Sequence, residues 1–139
     1  MPSPRAHLRI DFSADCSIGP GKIALLEAID RTGSLSAAGR ELDMSYRRAW
    51  LLLHNVNQAF AEPAVRLSVG GKSGGGAQLT AFGQTLVATY RQFEHSVAAQ
   101  AAQAFAGLTP SAGPPAEPTA TRRPLRRQLA PPTSGKPKA

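Results

Sequence analysis

Two short apolar patterns, set almost end to end, constrain this chain more than any other feature. Leu35, Ala38, Gly39 and Leu42 recur at the spacing i, i+3, i+4, i+7, and Ala49, Leu52, Leu53 and Val56 repeat it. That spacing puts each set on one face of an α-helix. Between the two patterns, Asp43 and Met44 form a short turn, and Ser34 and Ser45 stand where the helices begin. A serine hydroxyl at that position satisfies a backbone N–H the helix leaves unpaired. Gly39 costs a helix about 1 kcal/mol relative to alanine, and a close helix–helix contact would account for it. The second helix is predicted to run to about Phe60, with Pro63 closing the helical region.

The flanking segments supply the rest of a small domain. Leu8, Ile10 and Phe12 alternate with Arg9 and Asp11, which predicts a strand with one buried face. Gly19, Pro20 and Gly21 break the chain. A helix is then predicted from about Lys22 to Arg31, with Ile23, Leu26 and Ile29 on one face, Leu25 widening it, and Gly33 ending it in the left-handed conformation. Val65, Leu67 and Val69 alternate with Arg66 and Ser68, a glycine-rich run follows from Gly70 to Gly76, and Ala77–Leu79 return. These read as a β-hairpin with a flexible cationic tip at Lys72. Thr80 caps a long last helix in which Leu79, Phe82, Leu86, Tyr90, Phe93 and Val97 recur at spacings of three and four. This stripe is long for a small domain. Its surplus suits packing against a second copy through Phe82, Leu86, Tyr90, Phe93 and Val97; covering the domain's own core is the other use.

The expected fold class is mainly α with a small β-hairpin, a winged helix-turn-helix over residues 1–106, with a disordered C-terminal tail over 107–139. From Gly107 the chain is rich in proline, alanine and threonine and has no apolar periodicity, a composition that does not support a packed core. The tail also carries most of the net charge of +7, through Arg122, Arg123, Arg126, Arg127, Lys136 and Lys138 against Glu117 alone. A basic chain favours an anionic partner, nucleic acid or a membrane surface. No stretch approaches the roughly 20 apolar residues of a membrane span, and Met1–Ser17, with Arg5, Arg9, Asp11 and Asp15, does not read as a secretory signal. A single cysteine, Cys16, suits a reducing cytoplasm and reads as an inert thiol.

The functional expectation rests on the second of the paired helices. A recognition helix needs an apolar inner face and a polar outer start, because its N-terminal side chains must reach base edges in a major groove about 12 Å wide. Ser45, Tyr46, Arg47 and Arg48 supply that start, and a guanidinium can bond guanine or clamp a phosphate. Ser34 and Ser36, at the start of the preceding helix, complete the DNA-contacting set, with Lys72 and Ser73 on the wing touching phosphates. The bland alternative is a helical hairpin with solvated arginines. Trp50, next to Ala49, reads as packing, and His54 and Asn55 as solvated.

Other chemistry is set aside. Gly71-Lys72-Ser73 suggests a phosphate loop, but Arg66 stands where that motif needs glycine. His7, His54 and His95 form no short-range ligand cluster with Cys16 or the carboxylates, so no metal site and no cofactor are expected. No nucleophile, base and orienting group can be assembled, so no enzyme is expected.

The segment S-L-S-A-A-G-R-E-L-D-M-S-Y-R-R-A-W, Ser34 to Trp50, resembles the DNA-binding region of the molybdate-responsive ModE-type regulators. The tyrosine after the capping serine, followed by Ala49-Trp50, is closer to this LysR-like family than to the broad LysR group. The wing and following helix, G-G-K-S-G-G-G-A-Q-L-T-A-F-G-Q-T-L-V-A-T-Y, Gly70 to Tyr90, are similar as well. The resemblance covers about Leu8 to Phe105. It implies a bacterial, dimeric transcription factor that binds double-stranded DNA through Ser45, Tyr46, Arg47 and Arg48, with Lys72 and Ser73 on the wing. Full-length members carry C-terminal oxyanion-binding domains that sense molybdate. The segment after Gly107 is too short and proline-rich to fold as those, so no molybdate binding is expected on this chain. A non-specific architectural DNA binder and a winged-helix protein-interaction module are the alternatives.

Overall fold

A computed structural model of the chain describes residues 4–68 and 76–111. Lys72 and Ser73, the suggested phosphate loop Gly71–Ser73, and residues 112–139 of the expected tail lie outside them. The described residues as far as Gly107 fall in one structural unit, and 108–111 are exposed coil.

The chain opens with a hairpin of β1 (Ile10–Ser13) and β2 (Cys16–Ile18), paired antiparallel with Ile10 opposite Ile18 and Asp11 opposite Ser17. The expected strand had one buried face, and this is corrected: the burial is partial, and a second strand, β2, pairs with it. The register shifts between Asp11 and Ser13, and a bulge of this kind breaks the alternation. Phe12 therefore stays 55% exposed, with its ring edge-on to Phe60 at 5.4 Å, while Leu8 and Ile10 pack partly against the core. Ile18 of β2 is fully buried, and the buried Cys16 thiol donates to the Ala59 carbonyl at 3.3 Å.

Helix α1 spans Pro20–Thr32, two residues earlier than the sequence reading. Pro20 is the first helical residue rather than a break, because its fixed φ suits that position and its missing N–H is one the helix leaves unpaired anyway. Ile23, Leu25, Leu26, Ala28 and Ile29 are all buried, so α1 forms the centre of the core. Gly33 ends it with φ 76°, its N–H donating to Ile29.

Helix α2 (Leu35–Glu41) and helix α3 (Tyr46–Ala59) follow, each capped as expected: Ser34 accepts from the Ala37 N–H and Ser45 from the Arg48 N–H, both at 3.1 Å. The turn between them has a defined chemistry. Asp43 takes φ 60°, its N–H donates to Arg40, and the Met44 N–H donates to Gly39. That is the paired bonding of a helix end with a left-handed residue, here aspartate where glycine is usual. Gly39 is buried against α3: a Cβ there would stand 3.3 Å from the Ala49 Cβ and 3.4 Å from the Met44 carbonyl. The expected close helix contact is present.

Strands β3 (Val65–Ser68) and β4 (Gly76–Leu79) pair antiparallel, with Val65 opposite Leu79 and Leu67 opposite Ala77. Val65, Ala77 and Leu79 enter the core, whereas Leu67 is exposed despite its place in the alternation. The Ala77 N–H donates to the Gly33 carbonyl at 2.9 Å, pinning the hairpin to the α1–α2 junction. Helix α4 (Ala81–Ala104) starts at Thr80, whose hydroxyl accepts from Gly83 and donates to Pro63. Three helices, a β-hairpin and a following helix make this a winged helix, as the sequence pattern predicts.

The apolar stripe of α4 divides along its length. Tyr90 is only 2% exposed in its own chain, and its hydroxyl donates to the Leu8 carbonyl at 2.9 Å. This side chain, expected to meet a second copy, is covered within its own chain. Phe82 and Leu86 also pack partly on that core, Phe82 with its ring 5.3 Å from Phe60. Phe93, 47% exposed, and the half-buried Val97 are the outer part of the stripe.

Candidate nucleic-acid interface

Helix α3 presents one face to the core and the other to solvent. Ala49, Leu53 and Val56 are buried and Leu52 packs partly behind them. Ser45, Tyr46, Arg47 and Arg48 are exposed at its start. Tyr46 is 58% exposed, and among the described residues neither Arg47 nor Arg48 forms an ion pair. Two cationic side chains and a phenol thus stand in solvent, with no carboxylate among the described residues paired to the arginines. The Ser45 oxygen is engaged as a cap, which leaves its hydroxyl hydrogen free to donate. Ser34 caps α2 in the same way, and Ser36 is exposed on the first turn of that helix.

The helix is held from both ends. Its start follows the left-handed Asp43 turn. Near its other end, Asn57 donates to the Val65 carbonyl at 3.0 Å and accepts from the Ala64 and Val65 N–H groups at 2.8 and 3.1 Å. One amide thereby ties α3 to the base of the β3–β4 hairpin. Behind the site, Arg91 of α4 grips Glu27 of α1 with two hydrogen bonds, at 2.9 and 2.7 Å, and reaches Glu94 at 2.7 Å. The Arg91 guanidinium holds the Glu27 carboxyl below its ordinary range, and the two carboxylates push the Arg91 pKa up. A second exposed pair, Arg31 with Glu41 at 2.6 Å, links the ends of α1 and α2.

Three features of the exposed face were not anticipated. Trp50, read from sequence as packing, is 41% exposed and stacks on His54 with ring centroids 4.9 Å apart and planes 8° from parallel. Leu51 is exposed beside it. A helical wheel carries the signal for both, since a step of about 100° per residue turns Trp50 and Leu51 away from the centre of the Ala49, Leu52, Leu53, Val56 stripe. Lys22 is the third: its ammonium donates to the Ser17 carbonyl at 2.9 Å and to the Asn55 side chain at 3.3 Å. Burial, reinforced by the nearby Arg9 charge, lowers its pKa. No local sequence pattern joins Lys22 to Asn55. Asn55 itself is exposed, as expected, but not free.

Among the described residues no group of three or more His, Cys, Asp or Glu side chains comes together, and no helix is long and apolar enough to cross a membrane.

A helix-turn-helix with an exposed cationic second helix, followed by a β-hairpin and a long helix, places the chain in the winged helix-turn-helix class. Its N-terminal region is ModE-like. It is 48% identical over 81 residues to the molybdenum-pterin-binding protein MopB of Rhodobacter capsulatus, which is 58% of this chain and 30% of that protein. It is 38% identical over 89 residues to the molybdenum transport protein ModE of Azotobacter vinelandii, 64% of this chain and 33% of the relative. The DNA-binding transcriptional dual regulator ModE of Escherichia coli is 39% identical over 71 residues, 51% of this chain and 27% of the relative. The chain thus spans about a third of the length of these curated relatives. No family model matches it.

Proposed function

We propose that this chain is a sequence-specific DNA-binding transcription regulator, not an enzyme, acting as a homodimer. The observation that carries the reading is the outer start of α3. Tyr46, Arg47 and Arg48 stand exposed there, the arginines without ion-pair partners among the described residues, on a helix whose other face is locked into the core. A relative that shares this region is described as a DNA-binding transcriptional dual regulator. In this reading α3 enters the major groove, Ser45, Tyr46, Arg47 and Arg48 contact bases and phosphates, and Ser34 and Ser36 touch the adjoining backbone. Lys72 and Ser73 serve the wing's phosphate contacts.

Residues 1–106 form the DNA-binding domain in this proposal, and 107–139 a basic tail adding salt-sensitive affinity through counterion release. The second copy packs on the outer stripe of α4, through Phe93 and Val97 with the exposed margins of Phe82 and Leu86. A two-fold dimer then favours a palindromic site with half-sites about one helical turn, or a multiple, apart. No molybdate site is assigned to residues 1–139, since the relatives' molybdenum names describe longer proteins, of which only about a third is matched here. A reducing cytoplasm suits the buried free thiol of Cys16.

Fluorescence anisotropy on genomic fragments, with scrambled competitor and a salt series, tests the reading. Tight binding to one fragment, resistant to competitor and lost in an Arg47→Ala/Arg48→Ala variant, supports it. Equal, salt-labile binding to every fragment indicates an architectural protein. No binding at low salt refutes DNA recognition and redirects the search to protein partners.

A further inference from the structure

Tyr46, Trp50 and His54 lie at i, i+4 and i+8 on α3, so three rings form one row along the exposed helix, each about 6 Å further along its axis. Arg47 and Leu51 form the neighbouring row. This is an unusual surface for a helix facing water: two large apolar side chains, Trp50 and Leu51, remain exposed at its middle. The indole is not loosely solvated either. The His54 imidazole lies parallel against it at 4.9 Å, which covers one face, limits its rotamers and leaves the remaining indole surface open.

In the major groove most base-edge features are hydrogen-bond donors and acceptors. The exception is the C5-methyl group of thymine, read by apolar contact. An indole offers a broad apolar surface and a single N–H donor, and it is rigid, so it loses little conformational freedom on docking. Trp50 is one helical turn inside the residues that lead into the groove, close enough to remain within it. Its position, exposure and stacked partner all fit a role against methyl groups.

We propose that Trp50 is a base-reading residue whose indole packs on thymine C5-methyl groups, with His54 as the positioning residue that holds the ring in place. This rests on the reading that α3 enters the major groove, and it adds a specificity determinant distinct from the arginines. Arg47 and Arg48 supply charge; Trp50 supplies discrimination at thymine positions.

The test uses the full chain and duplexes selected by it from a random pool. Each thymine is replaced in turn by uracil, which removes the methyl and leaves the hydrogen-bonding edge intact. The wild-type protein is expected to lose about 3- to 10-fold in affinity at one or two positions, in keeping with the worth of a single apolar group. Trp50→Ala binds more weakly but no longer distinguishes thymine from uracil there, and Trp50→Phe, which keeps an aromatic ring, retains part of the discrimination. His54→Ala reduces the discrimination while Arg47→Ala lowers affinity and leaves the ratio unchanged. Trp50 is the only tryptophan in the chain, so its intrinsic fluorescence must also change on saturation with the selected duplex. The proposal is overturned if uracil costs the wild type nothing, if it costs wild type and Trp50 variants equally, or if the emission does not move. If no duplex is selected at all, the DNA-binding reading falls and this inference falls with it.

Discussion

Gly83 offers the sharpest test of how the domain is held together. It sits in the first turn of α4, where a Cβ would come 2.1 Å from the Ala64 carbonyl oxygen and 3.0 Å from its carbon. Ordinary carbon–oxygen contacts begin near about 3.3 Å, so alanine at this site must move the backbone by about 1 Å. The Ala64 carbonyl cannot yield freely. It accepts from the Thr80 N–H at 2.9 Å, and the Ala64 N–H is itself bonded to Asn57. Overpacking of this kind costs about 1–3 kcal/mol, and losing the Thr80 bond about 1 kcal/mol more. The helix gains about 1 kcal/mol from replacing glycine. Gly83→Ala is therefore expected to destabilise the domain by about 1–3 kcal/mol, a fall in Tm of roughly 5–20 °C for a domain of this size. Gly21→Ala is the internal control: nothing lies within 4 Å of its Cβ position, so it is expected to be neutral or to stabilise by up to about 1 kcal/mol. Thermal and urea unfolding followed by circular dichroism compare the two. A Gly83→Ala protein that melts at or above the Gly21→Ala protein would refute the close approach between α4 and the 63–65 segment.

Two further substitutions probe the turn and the ion pair. Asp43→Gly removes a side chain from a left-handed residue at φ 60°, and is expected to raise stability by about 0.5–1 kcal/mol; a lower urea midpoint than wild type would contradict it. The Arg91 hydrogen bonds hold the Glu27 pKa below its ordinary 4.5, so the stability they add is present above that value and is lost as pH falls through the lower, folded one. Both side chains are about a third exposed, which limits the effect to about 1 kcal/mol or less. Wild type is expected to exceed Glu27→Gln in urea midpoint at pH 7, the gap closing towards pH 3, and a gap that is constant with pH would show that the charge is not responsible.

What could be read in the sequence follows the range of the forces involved. Ser34, Ser45, Thr80 and Gly33 mark helix ends because capping acts within three or four residues, and all four do so in the structure. The faces of α1, α2 and α3 follow from their periodicity. The α3 start was legible for the same reason, since exposure of Tyr46, Arg47 and Arg48 is set by their phase against Ala49, Leu53 and Val56. The misses have identifiable causes. Pro20 reads as a breaker from composition alone, although the first helical position welcomes it. Phe12 left its expected face because a bulge, a pairing property, has no signature in one strand. At Tyr90 a helical period cannot tell a side chain covered by its own chain from one awaiting a partner, and the bond that ties it to Leu8 spans 82 residues of sequence. The neighbour Ala49 suggests packing for Trp50, whereas its angle on the helix turns it outward.

The same contacts bear on the proposed reading of bases by α3, as against general adhesion to DNA. Non-specific affinity needs only charge. Reading bases requires that side chains on one helix hold fixed positions relative to other backbone contacts, because a small displacement forfeits a hydrogen bond or a methyl contact. Here α3 is set at its start by the Asp43 turn and the Gly39–Ala49 contact, and near its end by Asn57. Asn57 bonds the segment that opens β3, and the Ala77 N–H of β4 bonds Gly33 just before α2. The helix, the turn and the hairpin base are thus tied through a closed circuit of short-range contacts. A change at Gly83 or Asn57, away from the exposed face of α3, would loosen that circuit. Such variants should lose discrimination between specific and scrambled DNA before they lose salt-dependent binding, whereas Arg47→Ala should weaken both together.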